Sequence, residues 1–341
     1  MALRFIDSFD HYVTADVLSK WNAQTSATIS AGNGRNGTAS FRATNLATQI
    51  LTKFLDSQAT WFVGVAFRMS AYPTTGNDTA IINLLDAGTT QVDLRVTSDG
   101  KLRATRNGTS LGLGTIVLSL SAFYYIEIKA TISDASGVIV TKVNGVTDLN
   151  LSSIDTKNTA NATADQVRIG PTGPALGVSW DFDDLYVCDG TGGAPTNDFL
   201  GDVRVEAILP SGNGNSSQLD GSDGNQVDNY LLVDESAPNG DTDYVESSDI
   251  GDKDTYAFGN LTPTTGTVYG VQILPYARKT DAGVRSIVSV ARVSATEVDS
   301  ADKTLSTSYT YYPDIRETKP GGGAWAISDV NSAEFGVKIT A

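Results

Sequence analysis

Along this chain, runs that alternate apolar and polar residues with period two are closed off again and again by Gly, Asn, Asp or Pro. They recur at intervals of about 8–15 residues, the spacing of sandwiches and barrels. Helical periodicity is almost absent, so the pattern leaves little but β-sheet for the chain to fold into. The clearest runs are 60–69 (TWFVGVAFRM), 79–85 (TAIINLL), 91–97 (QVDLRVT), 101–106 (KLRATR), 124–132 (YYIEIKATI) and 137–143 (GVIVTKV). Ser98-Asp99-Gly100, Asn107-Gly108 and Asn144-Gly145 stand between them. Gly takes φ > 0 there without steric cost, so turn chemistry and hydrophobic pattern agree on antiparallel hairpins.

The alternation breaks at 189–197 (DGTGGAPTN), and a second series of runs begins at 202–209 (DVRVEAIL). Two domains are therefore expected, 1–200 and 201–341. The second series continues through 255–260, 268–277, 284–293, 304–312 and 335–340, which predicts a second, smaller β-sandwich. A polar, acidic stretch at 211–253 separates its first two strands, and only 230–233 (YLLV) reads as buried there. Loops of that length in compact domains are uncommon and usually carry contacts or disorder.

Charge and cysteine usage remove several function classes. With 24 Lys+Arg against 39 Asp+Glu the net charge is −15, and no basic run is present, which argues against nucleic acid as a partner. The single cysteine, Cys188, allows no internal disulfide, and the single histidine, His11, allows no Cys/His zinc cluster. No apolar stretch is long enough to span a membrane, so no membrane partner is expected. The first 13 residues lack a signal-peptide core, which predicts synthesis in the cytosol without general export. No motif calls for a cofactor.

The order of several pieces carries a resemblance. An opening FIDSFDHY is followed by a strand ending in Phe67-Arg68, a hairpin at 94–102 (LRVTSDGKL), a strand at 124–129 (YYIEIK) and a closing Asp183-Asp184-Leu185-Tyr186. In this order they resemble the laminin-G-like, concanavalin-A-like jelly roll, over about 60% of the chain. The resemblance implies an all-β fold with that jelly-roll sandwich first. Together with FLGDVRVEAILP after it and AWAISDVNSAEFGVKIT at the end, the chain is similar to minor structural proteins of tailed-bacteriophage virions. That likeness implies capsid-decoration or tail location, other virion proteins as partners, and a homo-oligomer.

Candidate sites carry paired readings. Gly32-Asn33-Gly34-Arg35-Asn36-Gly37 matches a pyrophosphate-cradling pattern, but an alternating segment follows where a helix is required, so a hairpin turn is expected. In Trp180-Asp181-Phe182-Asp183-Asp184, alternation puts Asp181 and Asp183 on one face and Asp184 with Phe182 and Tyr186 on the other. Trp180, Asp181 and Asp183 are candidate glycan contacts. The glucanase pattern of the resembled fold needs Glu, Asp and Glu on alternate positions and is missing, so no catalytic residue is assigned. For Asp184 the alternatives are backbone capping or an ordered ion.

Residues 220–228 and 241–254 offer carboxylates for calcium without the EF-hand order, and read as solvated loops, so no metal ligand is assigned. Trp61, Trp180, Tyr125 and Tyr186 read either as core or as sugar-stacking rings. Tyr309, Tyr311 and Tyr312 are candidate interface residues, the first two sharing a face. His11, with no nucleophile at motif spacing, reads as a surface or hydrogen-bonded strand residue.

These readings lead to a non-enzymatic structural component of a tailed-phage particle, acting by multivalent docking and surface display. The alternative is a carbohydrate-binding adhesin that contacts host surface glycans through loops at 71–78 or 170–179. A polysaccharide-degrading enzyme is the third reading, disfavoured by the missing carboxylate pattern.

Overall fold

A computed structural model describes residues 2–44, 48–172 and 179–341. The chain is all-β and divides after Val205 into two compact units. In the first unit the strands are β1 (Leu3–Asp7), β2 (Ala23–Thr25), β3 (Thr28–Ser30), β4 (Ser40–Thr44), β5 (Ile50–Gln58), β6 (Thr60–Met69), β7 (Thr79–Asp86) and β8 (Thr89–Val96). They continue with β9 (Lys101–Arg106), β10 (Thr109–Val117), β11 (Tyr124–Thr131), β12 (Gly137–Val143), β13 (Val146–Ile154), β14 (Ala164–Thr172) and β15 (Ser179–Asp189).

These strands form a two-sheet jelly-roll sandwich. One sheet runs β13-β12-β11-β6-β15-β4-β3, with β1 also on β15; the other runs β10-β9-β8-β7-β14-β5-β2. The asparagine-glycine turns close hairpins as expected, with φ of 43° and 88° at Asn107-Gly108 and 48° and 78° at Asn144-Gly145. The glycine-rich segment at 32–37 joins the antiparallel strands β3 and β4, so it is a hairpin connection and no helix follows it.

Inner and outer faces follow from one contact. The Trp61 indole donates 3.0 Å to the Ala164 carbonyl on β14 of the opposite sheet, so the odd residues of β6 face inward. Register then sends Trp180, Phe182, Phe41, Ile126 and Ile128 inward with them. The even positions Phe62, Gly64 and Ala66 are buried as well, although they face away from the other sheet. A strand covered on both faces reads as a nearly continuous apolar run, which TWFVGVAFRM does.

The second unit is built on one six-stranded antiparallel sheet, ordered 210–217, 253–258, 334–339, 286–293, 296–299, with 303–304 also paired to 286–293. Two-stranded ribbons and the helix Ile327–Ser332 add the remaining elements. Its core joins Ala291 and Phe335 of the sheet to Ile273 of a ribbon, Val330 of the helix, and Trp325 and Ala333 beside it. The run 268–277 is interrupted at Pro275, which has no N–H to give a ladder, leaving Val271–Ile273 and Tyr276–Ala277.

Two sequence expectations are corrected here. Residues 202–209 are not a strand, because the Val205 amide donates to the Asp184 carboxylate instead of to a neighbouring strand. Residues 230–233 are not the buried part of the long acidic stretch, since Leu231 is 53% exposed. The buried anchor is Asn229, which donates to Asp254 Oδ2 (2.7 Å) and to the Leu219 carbonyl (2.8 Å). Asp254 also accepts from the Gln218 and Leu219 amides and the Tyr256 hydroxyl, so a polar knot ties this loop down.

Candidate functional site

Polar groups gather on the outer face of β15. β4 pairs with its first half and β1 with its second, and between them the register with β6 slips: Asp183 faces Ala66, whereas Tyr186 faces Gly64. One extra residue on β15 makes this a bulge, and Asp184 at φ 49° absorbs it. The alternation expected from sequence is therefore corrected. Asp184 turns to the side of Asp183, and Tyr186 joins Asp181 and Asp183 on the outer face.

Each carboxylate there already has partners. Asp181 Oδ2 accepts from Arg68 Nε (3.0 Å) and Arg68 Nη2 (2.8 Å), with Arg42 at 3.6 Å from its other oxygen. Asp183 accepts from the Arg35 amide (2.7 Å) and the Asp184 amide (2.7 Å). Asp184 accepts from the Val205 amide (2.7 Å) and lies 3.1 Å from the Arg35 guanidinium, which also pairs with Asp202. The cap reading of Asp184 is the one the geometry bears out.

Beside them, Tyr125 and Tyr186 stack with ring centroids 6.3 Å apart. Tyr186 donates to Glu127 Oε1 (2.6 Å), and Tyr125 donates to the Asp184 carbonyl (2.9 Å). Glu127 was missed in the sequence, although a lone carboxylate inside YYIEIKA was the signal for it. Arg35 carries no signal in the sequence, because its partners Asp183, Asp184 and Asp202 lie about 150 residues further along the chain.

Burial dominates the electrostatics. Loss of solvent, then the charge of Asp184, pushes Asp183 up to about 8 against the pull of its two amide donors. Asp184 is pushed up to about 6 by burial, opposed by the Val205 amide, Arg35 and Arg204. Burial and the neighbouring carboxylates hold the Tyr125 and Tyr186 phenols far above their usual range, so both stay protonated.

The candidate glycan contacts do not form an open site. Trp180 is 1% exposed, packed edge-on against Phe67 in the core, so no sugar reaches it. Asp181 and Asp183 are each 2% exposed beneath the arginines and the loop at 33–35. Trp61 belongs to the inner core, and Tyr125 and Tyr186 to the covered outer face. Of the two loops expected to meet glycans, 173–178 of the second lies outside the described residues.

His11 lies beyond the end of β1 rather than in a strand; its Nε2 sits 2.9 Å from Lys20 Nζ. Burial, then the Lys20 charge, lowers it to about 3, so its ring is neutral and accepts from the ammonium. Lys20 pairs with Asp7 at 3.0 Å. Asp7 also accepts from Tyr12, Trp21 and the Phe9 amide. Burial works against both charges of that pair, and these donors keep Asp7 ionised.

In the acidic loops the carboxylates act as local acceptors: Asp220 from Gln226, Asp223 from Asn225 and Asp228 from Asn213. Among the described residues, no three Asp, Glu, His or Cys side chains converge as a metal-binding group.

The tyrosines of the second unit divide by position. Tyr309 stacks on Tyr276 at 5.0 Å, and Tyr311 meets Tyr276 at 4.7 Å from its buried position, so the shared face expected for Tyr309 and Tyr311 is present. The Tyr309 hydroxyl and the Arg278 guanidinium both donate to Asp241, at 2.8 and 2.9 Å. Tyr312 instead turns its hydroxyl to the Ser306 amide, which donates to it at 2.8 Å.

No family model matches this chain, and no curated protein matches it either. Solved structures do. Alginate lyase Aly36B is similar over 47% of this chain and 82% of its own, at 14% identity and a TM-score of 0.35. The cellulose-induced protein Cip1 is similar over 54% of this chain and 90% of its own, at 12% identity and a TM-score of 0.36. A Trypanosoma rangeli sialidase is similar over 48% of this chain and 27% of its own, at 11% identity and a TM-score of 0.34.

The expectation of a non-enzymatic protein is corrected by these comparisons, since the structures similar to this chain include alginate lyases and a sialidase. That expectation rested on one missing carboxylate spacing, and the sandwich itself does not separate binding proteins from enzymes. At these identities the likeness assigns this chain no activity. The strand pairing establishes a two-sheet jelly-roll sandwich followed by a smaller β unit.

Proposed function

We propose that this chain is a surface-displayed docking component of a tailed-phage particle, present in several copies and held by repeated weak contacts. The observation that carries this reading is the tyrosine cluster of the second unit. Tyr276 and Tyr309 are stacked and half-buried, with the Arg278 guanidinium over the Tyr309 ring, 5.1 Å from its centre, and Asp241 at the Tyr309 hydroxyl. Tyrosine and arginine together are what protein interfaces concentrate, because large rings bury area at little entropic cost while their polar tips fix orientation. A net charge of −15 supports display by keeping separate particles apart.

The test is retention on purified particles. Wild-type chain co-sediments with them, and Tyr309→Ala lowers its copy number by about tenfold, the loss of one interface anchor. Recovery of the chain only in the soluble lysate, or full retention of the variant, overturns the reading.

The same cluster favours a second reading, contact with host surface glycans, because ring edges, a carboxylate and a guanidinium suit hydroxyl-rich ligands. A glycan array probed with the purified chain separates the two, and it includes alginate, on which the similar lyase Aly36B is named as acting. Binding that Tyr309→Ala abolishes supports glycan contact, and no binding at millimolar loading removes it. Incubating the chain with alginate reports turnover in the same experiment.

A further inference from the structure

In the sheet that runs from β10 to β2, the solvent face carries a polar row that the strands align. Leu51, Ile169, Ile82 and Leu94 are buried and take the inner face of β5, β14, β7 and β8, so alternation sends their neighbours outward. Register then sets Thr52, Arg168, Asn83, Asp93 and Thr105 side by side across β5, β14, β7, β8 and β9. Two residues along β5 from Thr52, Phe54 stands opposite Gln166 on the same face.

One end of this row is satisfied and the other is not. Asp93 accepts from Arg95 Nε (2.9 Å) and Nη2 (2.7 Å) and from the Thr105 hydroxyl, so its charge is neutralised there. Arg168 is half-buried, and among the described residues its partner is the Thr52 hydroxyl, 3.2 Å from Nε. Every other arginine lies against a carboxylate, in a chain with 39 Asp+Glu. Burial works against the Arg168 charge with no acid to offset it. On the adjoining strand Asn83 is 3% exposed, and its amide nitrogen is buried without an acceptor. A buried donor left unpaired costs stability, and so does a half-buried cation without a counter-ion.

We propose that this face binds an acidic sugar, with Arg168 and Asn83 taking its carboxylate and Phe54 its ring. With Nε turned to Thr52, both Nη groups of Arg168 remain to donate, and a guanidinium fork matches the two oxygens of a carboxylate. Asn83, opposite Arg168 on a strand about 5 Å away, supplies its unpaired donor to the same anion. Phe54 is 48% exposed and lies diagonally across from Arg168. Diagonal neighbours on a sheet stand about 7 Å apart, a distance that a pyranose ring and the carboxylate on it span. The ring face of Phe54 offers apolar area to the sugar, and Gln166 between them offers an amide to its hydroxyls. The site lies within the first unit and does not rest on the tyrosine cluster of the second.

Saturation-transfer NMR on the full chain, with glucuronate as the probe, tests this. A ligand of that size should bind with a Kd of about 1 mM. Glucose, which has the ring without the carboxylate, should bind at least about tenfold more weakly, and inorganic phosphate, which has charge without a ring, should displace glucuronate only at about tenfold higher concentration. Arg168→Gln should weaken glucuronate by about tenfold or more. Asn83→Asp, which hands Arg168 a carboxylate from its own chain, should abolish binding. Phe54→Ala should weaken glucuronate and leave phosphate unchanged, a split that a damaged fold does not produce. Glucose bound as tightly as glucuronate, or phosphate displacing it at equal concentration, overturns the proposal. So does wild-type affinity in Arg168→Gln or Asn83→Asp, or no binding of glucuronate up to about 20 mM. If the row variants do not fold, the three probes and Phe54→Ala decide alone.

Discussion

Gly64 is the residue on which the outer face depends. A Cβ built there meets the Tyr186 ring, with ring carbons at 2.7 and 2.8 Å, so the phenol lies flat on the strand only because no side chain is present. Tyr186 in turn holds Glu127 and the Leu200 amide. Gly64→Ala should therefore push the ring off and cost about 1–3 kcal/mol, the usual penalty of overpacking a filled site. Urea denaturation measures it, and a variant as stable as the wild type would mean that the ring has another place to lie. Asp184 shows the same dependence on local geometry. A non-glycine residue at φ 49° carries a strain of roughly 1 kcal/mol, and its carboxylate recovers that by accepting the Val205 amide.

At the scale of elements, the free edges of the two sheets protect one another. β10 ends one sheet and β13 the other. The pairing of β10 with β9 slips between Leu113 and Val117, which turns the Thr115 and Ile116 amides off the ladder. Asp148 on β13 accepts both, at 2.7 and 2.9 Å, and Gly114 lacks the Cβ that would strike it. Exposed edge amides are templates for pairing with other chains, so this carboxylate blunts the edge. Asp148→Ala should cost about 1–3 kcal/mol and raise light scattering on warming, whereas Asp148→Asn, which keeps an acceptor oxygen, should lose much less. Unchanged stability and scattering in the alanine variant would show that water serves these amides equally well.

The same elements show what the sequence could disclose. The runs at 60–69, 101–106 and 137–143 are strands with those very ends, because apolar alternation and glycine turns specify the same boundaries. The bulge at Asp183-Asp184 left no such mark, since it depends on two strands sharing one edge of β15. Residues 202–209 alternate as a strand does, yet their donors meet side chains brought together only by the folded sheet. The candidate glycan trio is buried for a related reason. Register shows which face a residue takes, but not which other segment of chain lies over that face.

For the whole molecule, two buried groups give opposite pH dependences in the first unit. His11 is lowered to about 3 from 6.5, so its contribution to stability is complete above pH 6.5 and is lost as pH falls toward 3. Asp183 is raised to about 8 from 3.8, so its contribution is complete below pH 3.8 and is lost as pH rises through about 8. Between pH 6.5 and 8.5 the histidine no longer changes charge in either state; Asp183 loses stability across the window, and Lys53, lowered to about 8 by burial and by Lys20, returns a smaller part of it toward the upper end. The first unit should lose about 1–2 kcal/mol across that window, at about 1.4 kcal/mol per pKa unit. Its melting temperature should fall by about 2–8 °C. In the second unit the raised groups are Tyr256, Tyr309, Arg278 and Lys338, and all four stay protonated in this window. Differential scanning calorimetry at the two pH values then carries its own control, one transition moving while the other stays. Asp183→Asn should abolish the fall of the first transition and leave only the small rise that Lys53 contributes. Should that transition be indifferent to pH in the wild type, the carboxyl is already ionised in the folded sandwich, and Arg35 outweighs its burial.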